Sequence, residues 1–210
     1  MTTTLEMVND CMRRIGRPRV ASLDPNGSSS HGEMERVISD TSRRFQALGW
    51  WFNTVPKVSV SPNGSGNIVI STVAAVPILH MDAIDDEPWN NFTMRSGNLY
   101  DITKATDVFT AAVNLRLVLL LPNSDLPESF AQYIVTHSSL NYNRHFSEFA
   151  SSTGSQTRDQ QLQAEIMVAQ MVVNKEEINA SDINMIDTYS TRMIHGRPSM
   201  SLLLGYLNGY

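Results

Sequence analysis

The chain has a single cysteine, Cys11, in 210 residues. One thiol cannot close an intramolecular disulfide or supply a cysteine-based zinc site. Positive charge is also scarce: 16 Lys and Arg stand against 21 Asp and Glu, a formal net charge of -5. A domain that grips DNA needs a basic footprint to displace counterions from phosphates, so that class is disfavoured, although DNA can pass nearby without sticking. No apolar run reaches the ~20 residues of a membrane span, and membrane insertion is not expected. The longest run, residues 117–121, suits a buried strand. The start, Met1-Thr2-Thr3-Thr4-Leu5-Glu6, has neither the basic nor the apolar region of a secretory signal, which points to synthesis in a cytoplasm without signal-directed export.

Catalytic signatures are missing too. His31, His80, His137, His145 and His195 form no His-x-x-x-His or His-Glu-x-x-His ligand pair. There is no Gly-x-Ser-x-Gly elbow, and Asn63-Gly64-Ser65-Gly66 fits a hairpin turn better than a phosphate loop. Cys11 reads as a small core residue. The densest acidic cluster is His80-Met81-Asp82-Ala83-Ile84-Asp85-Asp86-Glu87. Asp82, Asp85, Asp86 and Glu87 offer carboxylates for acid and base work on a polysaccharide, or hard oxygens for Ca²⁺. The alternating calcium-loop pattern is absent, and a solvated loop between strands is the expected structure. No catalytic, cofactor-binding or metal residue is therefore assigned.

What is present is a core: 41% of the chain is hydrophobic. Thr3 and Glu6 have capping-box spacing, Leu5, Val8, Met12 and Ile15 make one stripe, and Gly16 and Pro18 end that helix. After a polar loop, Ser30 and Glu33 repeat the box, and Met34, Val37, Ile38, Thr41, Phe45 and Leu48 lie on one face up to Gly49. From 54 to 122 the period changes to short β signals. These are Val58 and Val60, the Asn63-Gly64 turn, Ile68-Val69-Ile70, a hairpin around Ser96-Gly97-Asn98, and Val113 onward. Helices return at Asp125, which with Glu128 has cap spacing beside Pro127. Phe130, Tyr133, Ile134, His137 and Leu140 share one face of a helix over 128–149. After a loop at 150–156, Leu162, Ile166, Ala169 and Val173 step along a glutamine-rich last helix. Each of these two helices is expected to keep a polar outer face. The predicted class is α+β: a four-helix bundle from 1–53 and 123–178, an antiparallel β domain inserted at 54–122, and an extended tail at 179–210.

Several motifs carry a family likeness. They are Val8-Asn9-Asp10 and Ile15-Gly16-x-Pro18; Gly49-Trp50-x-Phe52-Asn53; Gly97-Asn98-Leu99-Tyr100-Asp101; Leu126-Pro127-Glu128-x-Phe130-x-x-Tyr133-Ile134-Val135-Thr136; and Asn143-Arg144-x-Phe146. Their order and spacing resemble the tail tubular protein A family, the head-to-tail adaptors of short-tailed podoviruses. The resemblance implies a virion tail component without cofactor or enzymatic activity. It further implies a dodecameric ring between portal protein and tail nozzle, lining the channel through which genomic DNA leaves. The alternative is a tail-associated hydrolase of host envelope polysaccharide, using the Asp82 cluster. Three adjacent aromatics cannot all face one core, and some must pack against the sheet or a neighbouring subunit; Trp50, Trp51 and Phe52 are interface candidates, with a plug at the helix-sheet hinge as the other reading. In the apolar tail, which the family uses to embrace the portal, the candidates are Met185, Ile186, Tyr189, Leu202, Leu203, Leu204 and Tyr206.

Overall fold

The Thr3-Glu6 box starts the first helix, α1 (Thr4–Arg14): the Glu6 N–H donates to Thr3 Oγ1 at 3.2 Å, and the Thr3 N–H donates to Glu6 Oε2 at 2.7 Å. These bonds to the ionised form, the backbone one first, hold the Glu6 carboxyl below its usual range. A computed structural model describes the chain over residues 2–23, 29–84, 92–146 and 153–192. Helix α2 (Ser30–Gln46) is capped one residue earlier than expected. Ser29 is extended and its Oγ accepts from the Gly32 N–H, so Ser30 becomes the first helical residue.

Helix α3 (Glu128–Phe146) also starts differently. The Ala131 N–H donates to the Pro127 carbonyl, while Asp125 sits in a short 3₁₀ turn and takes the Ser124 hydroxyl. The Glu128 carboxylate is held by the Thr2 hydroxyl and by Gln132, which lowers its pKa, Thr2 contributing most. The expected cap pair therefore serves two separate tethers.

Helix α3 runs through the centre of the helical unit, and α1, α2 and α4 (Thr153–Arg192) each pack on it. One apolar core joins Met7, Val8, Cys11 and Met12 of α1, Met34 and Ile38 of α2, Phe130 and Ile134 of α3, and Leu162 and Val173 of α4. The expectation of a single apolar face fails for α3. Its other side buries Ala131, Val135, Ser138, Ser139 and Tyr142. Small hydroxyl residues make this possible. Thr136 and Ser139 donate back to the Gln132 and Val135 carbonyls at 2.8 and 2.7 Å, so their polar groups are satisfied while helices approach closely on both sides. Helix α4 departs in length as well. It begins at Thr153, inside the stretch read as loop, and continues to Arg192 through residues read as tail. The next helix breakers after Gly154 are Gly196 and Pro198, so nothing in 155–192 interrupts the backbone pattern.

The β unit lies between α2 and α3 in sequence. Strands β1 (Thr54–Val60), β2 (Ile78–Ala83) and β5 (Val113–Leu119) form an antiparallel sheet in the order β1-β5-β2. Strands β3 (Phe92–Arg95) and β4 (Asn98–Asp101) form the predicted hairpin, with Ser96 at φ 50° and Gly97 at φ 83° in its two-residue turn. Strand β2 lies outside the predicted set: the segment that opens the acidic cluster pairs with β5 from Leu119 to Leu115. Conversely, Ile68-Val69-Ile70 is not a strand. Val69 makes one bridge to Asn98, and a 3₁₀ turn starts at Ile70, both isoleucines being buried in the β core with Leu99, Leu115 and Leu117. The mixed α and antiparallel β class stands.

Candidate interaction surfaces

The aromatic run sits where the helical unit meets the sheet. Gly49 turns the chain out of α2 at φ +74°, a left-handed conformation that costs side-chain-bearing residues about 1–2 kcal/mol. Trp50 then enters the core, 8% exposed, and its indole N–H donates to the Phe45 carbonyl at 2.8 Å. Its ring meets Phe130 at 5.3 Å, and Phe52 meets Phe130 at 4.7 Å, both edge-on. Trp51 and Phe52 are half-buried against the same core. The Trp51 N–H donates at 3.0 Å to Glu177 Oε2 of α4, whose carboxylate is buried. Trp50 is thus a core residue, and its neighbours plug the junction. Met185, Ile186 and Tyr189 fall on the backbone of α4, with side chains outside the described residues; Leu202, Leu203, Leu204 and Tyr206 lie outside the described residues altogether.

The same junction holds two fully buried amides. Asn53 Nδ2 donates to the carbonyls of Gln46 and Leu119, both at 2.9 Å, and its Oδ1 accepts from the Trp50 N–H at 2.8 Å. Gln46 Nε2 donates to the Leu121 carbonyl at 3.0 Å, and its Oε1 accepts from the Leu121 N–H at 2.8 Å. Together they fasten the end of α2 to the end of β5. Other motif residues work alike. Asn9 accepts from the Val20 N–H at 2.8 Å and donates to its carbonyl at 3.0 Å, pinning the loop after α1. Asp101 is buried and accepts from the Lys104 N–H at 2.9 Å. Asn143 and Arg144 of α3 both reach Asp159 of α4, at 2.6 and 3.2 Å. Polar groups placed in this way fix loops and element ends because leaving their partners unpaired in the interior is costly.

The acidic cluster divides. Asp82 lies on β2, half-exposed, with His80 Nε2 at 2.9 Å and Arg116 Nη1 at 3.8 Å. Asp85, Asp86 and Glu87 lie outside the described residues. Among the described residues, no group of three or more His, Cys, Asp or Glu is placed to hold a metal ion, and no helix is long and apolar enough to cross a membrane. His137 is wedged against Phe45 and Tyr133, ring centroids at 4.7 and 4.8 Å, and its Nε2 is buried without a partner. Burial, with the Arg44 charge second, pushes its pKa down to about 4. Burial likewise pushes the Cys11 thiol up to about 12.

The surface that the sequence reading missed is the outer side of α4. Leu162, Ile166 and Val173 face the core as expected, but Met167, Val168, Met171, Val172 and Ile178 are 61, 63, 70, 44 and 57% exposed. At 3.6 residues per turn, Met171 lies roughly opposite the buried seam. The expected polar outer face is instead an apolar one. Its signal was available: the stretch from 166 to 173 is apolar at every position except Gln170, too continuous for a helix with one wet face.

A family model described as tail tubular protein matches residues 5–181. A tail tubular protein A from Klebsiella phage KP34 is 28% identical over 133 residues, covering 63% of this chain and 67% of the relative.

Proposed function

This chain belongs to the tail tubular protein family, structural components of the viral tail, and from that premise we propose that it is a ring-forming adaptor joining the portal to the tail nozzle. One observation carries the reading. The described motif side chains at the junction, the loops and the α3–α4 contact are spent inside the fold, so the work of the chain falls to its surfaces. In this reading twelve copies surround the DNA exit channel. A formal charge of -5 per copy gives the wall a sign that repels phosphate, so duplex slides through without being held. The helical unit and the β unit, fastened at Asn53 and Gln46, move as one block and can transmit force between the assemblies above and below.

The segment beyond α4's buried anchor is assigned to the portal. The last buried positions of α4 among the described residues are Val173 and Glu177, so removing residues 181–210 leaves those core contacts in place. The truncated chain is expected to fold with unchanged thermal stability and to lose recruitment to purified portal, imaged by electron microscopy. Unchanged portal affinity after truncation refutes the assignment of that segment. A full-length chain that never joins a portal refutes the adaptor reading itself.

A further inference from the structure

We propose that the outer face of α4 is the seat of a second copy of this chain, an inference that rests on the ring reading and names one of its contact surfaces. Met167, Val168, Met171, Val172 and Ile178 place large apolar groups in water along one side of the helix. The strip from Met167 to Ile178 is about 17 Å long on a cylinder about 10 Å across, which is on the order of 200 Å². A standard interface takes about 800 Å² from each partner, with an apolar, charge-depleted centre and a polar rim. The strip has the size of such a centre; the exposed Gln160, Gln163 and Asn179 border it, and the exposed Lys175, one turn from both Met171 and Ile178, lies within it.

Charge selects the partner. Copies that each carry -5 repel one another wherever unpaired carboxylates meet. From 160 to 177 the carboxylates of α4 are Glu165, Glu176 and Glu177. Glu165 is ion-paired with Arg14 of α1, Glu176 accepts from the Ser129 hydroxyl of α3, and Glu177 is buried against the Trp51 N–H. All three are engaged by the chain's own helical unit. A basic partner would be met by unpaired carboxylates, and from 160 to 177 this helix offers none: Glu165, although half-exposed, is already paired with Arg14. Its outer side is the face on which an acidic chain can approach another of the same charge. A contact between this face and a different patch of the next copy is heterologous, the kind that closes into a ring.

The test uses assembled tails. Val168→Cys is labelled with a maleimide photo-crosslinker; the native Cys11 is buried and stays unlabelled. Irradiation is expected to give a product with the mass of two copies of this chain. On the unmodified chain, peroxide oxidation of Met167 and Met171 is expected to slow at least tenfold on assembly, while the buried Met7, Met12 and Met34 stay protected throughout. A crosslink to a different tail protein overturns the proposal. So does an intact ring in which Met167 and Met171 oxidise as fast as in the separate chain, and this measurement decides the matter if the cysteine variant does not fold. The copy number per tail, counted by electron microscopy, tests the ring independently: one copy per tail removes the ring reading, whereas several copies with an uncovered α4 remove only this inference.

Discussion

Replacing Asn53 by alanine is expected to cost about 3 kcal/mol or more, the sum of what its three partners lose. The side chain is 1% exposed and makes three hydrogen bonds to backbone: two as donor, to the Gln46 and Leu119 carbonyls, and one as acceptor, from the Trp50 N–H. The three groups do not lose equally. The Gln46 carbonyl keeps the Gly49 N–H at 3.0 Å, so its loss is partial. The Trp50 N–H loses the bond that Asn53 Oδ1 supplies. An unsatisfied buried group costs about 1–3 kcal/mol, and a carbonyl that keeps another partner falls at or below the low end. Domains of this size are stable by only ~5–15 kcal/mol, so the variant should shift the urea midpoint plainly. Asn53→Asp separates chemistry from space-filling. It is nearly isosteric and keeps the acceptor for Trp50, but it turns a carboxylate oxygen toward two carbonyl oxygens. It should therefore destabilise at least as much as alanine. If the Asn53→Asp chain unfolds within ~0.5 kcal/mol of the parent, or alanine costs less than ~1 kcal/mol, Asn53 is not the fastener described above.

Two further outcomes follow from buried titratable groups. His137 has a folded pKa of about 4 against the ordinary 6.5, so its contribution to stability is complete above pH 6.5 and is lost as pH falls toward 4, a total of about 3 kcal/mol at 1.36 kcal/mol per unit. His137→Phe keeps a ring beside Phe45 and Tyr133 and should flatten that part of the acid-unfolding curve; an unchanged slope between pH 6.5 and 4 counts against it. Cys11, buried and with its thiol pKa raised to about 12, should not react with a thiol-specific disulfide reagent at about pH 8 until denaturant unfolds the chain, and rapid native labelling would show that α1 opens.

The helices were legible because helical periodicity reports which side is buried, and α1, α2 and the inner seam of α4 bury one side. Helix α3 was legible in position and not in packing: a stripe pattern counts Thr136, Ser138 and Ser139 as polar, yet all three are buried, with the Thr136 and Ser139 hydroxyls returned to their own helix. The hairpin of β3 and β4 could be read because Ser96-Gly97 demands a left-handed turn. Strand β2 could not, since Ile78-Leu79-His80-Met81-Asp82-Ala83 mixes apolar and charged residues on a half-exposed strand without clean alternation. For the aromatic run, the structure shows the hinge plug that the sequence offered as one of two readings, with Trp50 in the core and Trp51 and Phe52 partly buried beside it. Trp50, Trp51 and Phe52 are consecutive because a tight turn after Gly49 aims them at α3 and α4, a geometry that composition does not encode.

The motif residues and the working surfaces also occupy different places, and that separation follows from the physics. A buried amide such as Asn53 must meet fixed donors and acceptors at hydrogen-bond distance, so few residue types serve, and the position becomes recognisable as a motif. A strip such as Met167 to Ile178, proposed above for docking, needs mainly apolar area, which many side chains supply. The motif islands therefore report the scaffold, and a family match over residues 5–181 follows the scaffold more closely than the partners it serves. Under the proposed adaptor reading the partners are the function. The α4 face is where the two descriptions meet: its inner side is fixed by Leu162, Ile166 and Val173 against α3, and that rigid seating holds the outer methionines in the orientation a neighbouring copy would need.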